Sequence, residues 1–307
     1  MGGVVVGFAI IAFVIAVGYI AARFGIGGPT APFVLNRIAF FITNPALLFV
    51  TLAHADLHVV FSTQVVVAAV AALVACGAFV LLSRLFFRRG AAETTIGALG
   101  SGYVNANNIG IPVAVYVLGS ASYVAPVLLL QLVVFAPIAL TVLDVTSRGS
   151  VSVRSILTQP IRNPMIIASL LGILVDVSGV KIPDAVYEPF ILLGGAAVPL
   201  VLMAFGMSLY GSRPLRSDHG RAEILTASLL KSAVMPTVAF LVAWLVFGLH
   251  GQSLFAAVAL AALPTAQNVY NFAARYERGV AIARDTVLLT TVLAIPALLL
   301  IAALLAP

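Results

Sequence analysis

Apolar runs of roughly 20 residues, the length a bilayer's hydrocarbon core requires, recur ten times along the chain. They lie at about 3–22, 34–53, 61–82, 94–118, 122–143, 163–179, 187–209, 223–248, 253–275 and 284–305. Short polar loops separate them. Two of the ten runs are interrupted by polar residues: the fourth by Val104-Asn105-Ala106-Asn107-Asn108-Ile109-Gly110-Ile111-Pro112, the ninth by Pro264-Thr265-Ala266-Gln267-Asn268-Val269-Tyr270-Asn271. An unpaired backbone N–H or C=O in hydrocarbon costs several kcal/mol, so a helix breaks there only where protein or trapped water replaces the lost bonds. The amides supply such partners, and the glycine and prolines supply the breaks. One interruption alone reads equally well as a packed kink. Two, in corresponding places of two halves, point to a transporter's binding site.

Charge fixes the orientation. Fourteen of the 16 Lys and Arg residues fall in alternate loops: Arg23 and Arg37; Arg84, Arg88 and Arg89; Arg148, Arg154 and Arg162; Arg213, Arg216 and Arg221; Arg275, Arg278 and Arg284. Those loops are expected on the cytoplasmic side. The opposite loops carry His54, Asp56 and His58, then Asp176, Lys181, Asp184 and Glu188, then His250. Both termini are therefore expected on the outer side of a plasma (inner) membrane. The longest connection, 144–162, divides five spans from five, and an odd number per half makes similar halves insert with opposite orientation. Asn108 to Gly119 and Asn268 to Gly279 are both eleven steps, which aligns the interruptions at an offset of 160. Pro137 and Pro296 align the fifth and tenth runs, and Pro45 and Pro199 form a further pair. The pattern predicts an all-α polytopic membrane protein of ten transmembrane helices in two inverted five-helix repeats, 1–147 and 148–307, with helices four and nine broken.

Composition agrees and narrows the function. Of 307 residues 62% are hydrophobic and 8% charged, and the mean hydropathy is +1.17, which excludes an ordinary soluble domain. The net charge of +6 forms no basic stripe, so no nucleic acid is expected as a partner. The one cysteine, Cys76, lies inside an apolar run and reads as packing. The first run lacks a basic n-region and cleavage site and reads as a retained helix. Glu93, Asp144, Asp176, Glu223 and Asp285 all fall at the ends of spans, so a carboxylate proton relay has no obvious carrier. No catalytic or metal-ligand spacing occurs; neither an enzyme nor a cofactor nor a metal is expected.

The candidate chemistry is therefore neutral. Each break leaves a half-helix whose N-terminus carries about half a positive charge, able to hold an organic anion without a Lys or Arg. Pro112 is expected at a first-turn position of such a half-helix. Asn105, Asn107, Asn108, Gln267, Asn268 and Asn271 can donate or accept, and Pro264 marks the second break. Lys231, well inside helix eight, fits a counter-charge for substrate, a proton carrier, or a fixed positive group on broken-helix carbonyls. Snorkelling to headgroups is the plain alternative. Gln131 in helix five either faces the same cavity or bridges two helices.

The chain resembles the auxin efflux carrier family, which includes the plant PIN auxin exporters and many bacterial members. Asn36-Arg37 with Pro45-Ala46-Leu47-Leu48-Phe49, Gly110-Ile111-Pro112 after Asn105, and Asn163-Pro164 with Ser169 and Gly172 carry the resemblance. So do Gly206-Met207-Ser208-Leu209 and Ala261-Ala262-Leu263-Pro264 with Tyr276. It implies that broken helices four and nine cross at the substrate site. It also implies that helices 3–5 and 8–10 form a transport domain moving as an elevator, while helices 1, 2, 6 and 7 form a scaffold that dimerises. Asn105 matches the family's substrate-binding asparagine and Pro112 its crossover proline. The chain departs from plant members at Val104 and Val269, which replace prolines, and in lacking their long cytoplasmic loop.

The expected function is a secondary transporter of a small organic anion, such as a mono- or dicarboxylate, by efflux or uniport. A sodium- or proton-coupled symporter of the bile-acid type, and a membrane sensor that binds without transport, remain as alternatives.

Overall fold

The computed structural model describes residues 2–54, 63–148, 163–180, 182–211 and 220–307. Asp56, His58, Arg154, Arg162, Lys181, Arg213 and Arg216, all read from the sequence as loop residues, lie outside them. The described residues are helical throughout, apart from loops and one isolated β-bridge. In chain order they form α1 (Gly2–Arg23), α2 (Ala31–Leu52), α3 (Thr63–Phe87), α4 (Ala91–Gly102), α5 (106–116) and α6 (Ala121–Thr146). There follow α7 (Pro164–Ser178), α8 (Asp184–Leu209, with a turn at Ala196), α9 (Arg221–Val246), α10 (Gly251–Ala261), α11 (Gln267–Tyr276) and α12 (Val280–Leu305). Among the described residues, α2, α3, α6, α8, α9 and α12 are long and apolar enough to cross a membrane, and the protein is a multi-pass membrane protein. Arg37, read as a loop residue, lies inside α2 with its guanidinium over the Phe33 and Phe41 rings.

Proline sets the local geometry of four helices in one way. Residues 39–43, 106–110, 131–135 and 230–234 are π turns, and each is followed two residues later by a proline: Pro45, Pro112, Pro137 and Pro236. A helical proline has no N–H and its ring collides with the carbonyl four residues back. Widening the preceding turn to an i→i+5 bond moves that carbonyl away; Asn44, Ile111, Ala136 and Met235 donate these bonds to Ala39, Ala106, Gln131 and Leu230. Such bulges gather at functional sites. Asn107, Asn108, Gln131 and Lys231 all lie in them. Pro112 thus sits in the first turn of the α-helical stretch Ile111–Tyr116, as expected from sequence, just beyond the π turn that opens α5.

Packing divides into two groups. α1 lies along the second half of α8, and α2 against α7 and α8. The backbones come close because Gly18 faces Met203 O and Gly206 faces Ile15 O, with no room for a Cβ at either. The second group packs α3 on α4 and α9, α9 on α10 and α12, α4 on α6, and α11 on α12. Gly97 seats the Phe79 ring between α3 and α4, and Gly102 rests on Cys76 and Ala72. At one end of the second group, Arg89 pairs with Glu223 at 2.6 Å, Arg278 with Glu93 at 3.5 Å, and Tyr276 donates to Asp144 at 2.7 Å.

Candidate functional site

α4 ends at Gly102 and α10 at Ala261, and the chain resumes as helix only at Ala106 and Gln267. Both gaps leave backbone groups that must pair inside the protein. They pair with each other. Val104 and Thr265 form an antiparallel bridge, in which Asn105 N donates to Pro264 O at 2.7 Å and Ala266 N to Tyr103 O at 3.0 Å. The bridge stands one position out of the 160-residue register read in the sequence. The gaps cross, and four helix ends converge there: the N-termini of α5 and α11, and the C-termini of α4 and α10.

On the N-terminal side lies a cavity lined by Tyr103, Asn105, Asn107, Asn108, Gln131, Gln267 and Asn268, with Phe40 and Met165 contributed by α2 and α7. No Lys, Arg, Asp or Glu lines it. Asn105 does two jobs. Its Oδ1 accepts from Asn108 N at 3.0 Å, capping α5, and this leaves its buried Nδ2 without a partner. Buried Gln131 presents an unpartnered Oε1. An unmet buried polar atom costs about 1–3 kcal/mol, so two residues of the cavity lining each carry a polar atom with something to gain from a partner. α11 adds an N-terminus that no side chain caps. Two helix N-termini and a free amide donor together favour a small anion.

A chain of amides runs along the cavity's lining and on to α2. Asn44 Nδ2 donates to Asn107 Oδ1 at 2.7 Å, Asn107 Nδ2 to Asn108 Oδ1 at 2.6 Å, and Asn108 Nδ2 to Gln267 Oε1 at 3.1 Å. The chain ties α2 to both broken segments. The cavity measures about 30 Å³, enough for about two waters at roughly 10–15 Å³ each and too small for an organic acid.

Of the residues singled out from sequence, Asn105, Asn107, Asn108, Gln131, Gln267 and Asn268 line the cavity. Pro264 serves through its carbonyl at the bridge, and Pro112 is buried within α5. Asn271 is exposed and does not line the cavity: it lies on the outer face of an amphipathic α11. Lys231 is fully buried on the far side of the crossing, its Nζ 2.7 Å from Ala261 O. Sequence reasoning missed Asn44 and Thr265. Asn44 stands beside Pro45, where the proline-linked π turn was the available signal.

A sequence model described as "Membrane transport protein" matches residues 4–151 and 146–302. The chain belongs to the membrane transport protein family. This bears out the resemblance to auxin efflux carriers, and the members of this family are transporters, not enzymes. Relatives of this transporter include an uncharacterized transporter of Methanocaldococcus jannaschii, 24% identical over 92% of each chain. Others are the uncharacterized transporter YfdV of Escherichia coli, 28% identical over 78% of each, and one from Methanothermobacter thermautotrophicus, 25% identical over 92% of each.

Proposed function

We propose that the protein is a secondary carrier that moves a small organic anion, a mono- or dicarboxylate, across the inner membrane by an elevator motion, as efflux or uniport. The observation that carries this reading is the crossing itself: two half-helix N-termini and the unpartnered Asn105 amide share a cavity without a fixed charge. A carboxylate accepts from Asn105 Nδ2 and the N-terminal N–H groups of α11 and meets the positive ends of two dipoles. Gln131 Oε1 accepts from a hydroxyl or a second, protonated acid group.

The two packing groups support the moving parts. α1, α2, α7 and α8 act as a scaffold through which two copies dimerise, while α3 to α6 and α9 to α12 carry the site. Counting α4 with α5 and α10 with α11 gives ten spans, in inverted halves 1–147 and 148–307. The Arg–Glu pairs gathered at one end support a cytoplasmic face there and outer-side termini. The Asn44–Asn107 bond links scaffold to mover, so ligand entry and release of the mover involve the same amides. A monoanion leaving a cell that is negative inside gains about 2.3 kcal/mol per 100 mV.

The test has two stages. Purified protein is melted with malonate, succinate, lactate and indole-3-acetate, and with their uncharged amides; at least one acid raises the melting temperature by mass action, and its amide does not. Counterflow of that radiolabelled acid is then measured in proteoliposomes at fixed potential. Saturable uptake with trans-acceleration is the expected result. Binding with no counterflow would make the protein a ligand sensor, and flux that requires sodium would make it a symporter.

A further inference from the structure

The far side of the crossing mirrors the near side. There the C-termini of α4 and α10 converge, and the carbonyls of a helix's last turn lack intrahelical partners and carry the negative end of its dipole. The protein meets it with its own donors. Thr265 Oγ1 donates to Gly100 O at 2.5 Å, Thr290 Oγ1 accepts from Thr265 N at 3.1 Å, and Lys231 Nζ donates to Ala261 O at 2.7 Å. Lys231 is 0% exposed and, among the described residues, forms no ion pair with a carboxylate. Its position follows from the π turn at 230–234, which precedes Pro236 and lies against α3, α4 and α12. A cavity of about 20 Å³ beside Gly102 and Ala261 is walled mostly by alanine, valine and leucine. Its one polar side chain is that of Gln131.

We propose that the Lys231 ammonium is a resident cation: it occupies the C-terminal end of the broken helix where a carrier of this architecture would hold a coupling ion, and it travels with the substrate site. Resting on the carrier reading above, this makes transport independent of sodium. It also changes which step feels the membrane potential. With a monoanion bound, the crossing holds a balanced pair; on the empty return it keeps the lysine's charge without the anion's.

The direct test needs no substrate. Wild type, Lys231→Ala and Lys231→Met are melted in sodium chloride, methylammonium chloride and choline chloride at equal ionic strength. Wild type should melt at the same temperature in all three. Lys231→Ala should melt several degrees lower in choline and recover in methylammonium, which fits the vacated volume and restores a donor to Ala261 O. Lys231→Met fills that volume and should show no recovery. Sodium-specific stabilisation of wild type would overturn the proposal, as would a Lys231→Ala protein that melts alike in all three salts. Should Lys231→Ala fail to fold, the wild-type comparison still decides. A second arm measures radiolabelled malonate counterflow by wild type in sodium and in choline. Equal rates support the resident cation and sodium-dependent rates refute it; no flux in either salt counts against the carrier reading, while the melting comparison continues to judge the lysine.

Discussion

Asn105→Asp should abolish transport while leaving the folded protein nearly as stable as wild type. The two atoms of the Asn105 amide do separable work. Oδ1 caps α5 through Asn108 N, and aspartate is as good a cap as asparagine, so that bond survives. Nδ2, the buried and unpartnered donor of this cavity-lining residue, becomes a carboxylate oxygen that repels an anion. A hydrogen bond to a charged group is worth about 1.5–3 kcal/mol, so losing it alone costs roughly 10–100-fold in affinity, and the added repulsion extends the loss. Asn105→Ala removes the donor and the cap together. It should lose at least tenfold in flux and also about 1 kcal/mol of stability. Asn268→Ala, across the cavity on α11, should lose flux with normal insertion. Counterflow in proteoliposomes, with melting temperature measured on the same samples, separates the two effects. Unchanged flux in both Asn105→Ala and Asn268→Ala would remove the site assignment.

The second large effect is on assembly. Gly206→Val should strongly destabilise the protein, whereas Gly77→Val should not. A Cβ at Gly206 would land on the Ile15 carbonyl, and its counterpart at Gly18 on the Met203 carbonyl, so either side chain must push α1 and α8 apart along their length. Forcing volume into a close-packed contact costs about 1–3 kcal/mol, and here the obstruction is backbone, which cannot rotate away. Gly77 is exposed on α3 and meets nothing within 4 Å. There a valine adds only lipid contact and recovers helix propensity. Thermal unfolding in detergent should show a large drop for the first and little change for the second. Equal behaviour would mean that the α1–α8 contact does not hold this group together.

Helices and breaks were legible in the sequence because bilayer length and backbone pairing are strong constraints. Ala91–Gly102 and Gln267–Tyr276 end and begin beside the polar residues that announced the gaps. Partner choice was not legible. That Asn108 reaches Gln267, or that Asn105 caps α5 and leaves its donor free, depends on how two distant segments cross. Asn271 misled because an amide near a break need not face it; a turn of helix carries it to the outside. Lys231 was conspicuous as a buried charge, yet its partner is a backbone carbonyl at a helix end, which carries no residue-specific mark. The π turns before Pro45, Pro112, Pro137 and Pro236 follow a rule that proline's missing N–H makes intelligible, although Pro189 and Pro296 lie within α-helix without one.

The proposed site holds its anion between the crossed breaks. The most direct measurement is a structure of the protein bound to whichever carboxylic acid most raises its melting temperature. The carboxylate should lie within hydrogen-bonding distance of Asn105 Nδ2 and the N-terminus of α11, with the Asn107–Asn108–Gln267 amide chain opened to admit it. An acid bound elsewhere, with that chain intact and the crossing empty, would contradict that placement.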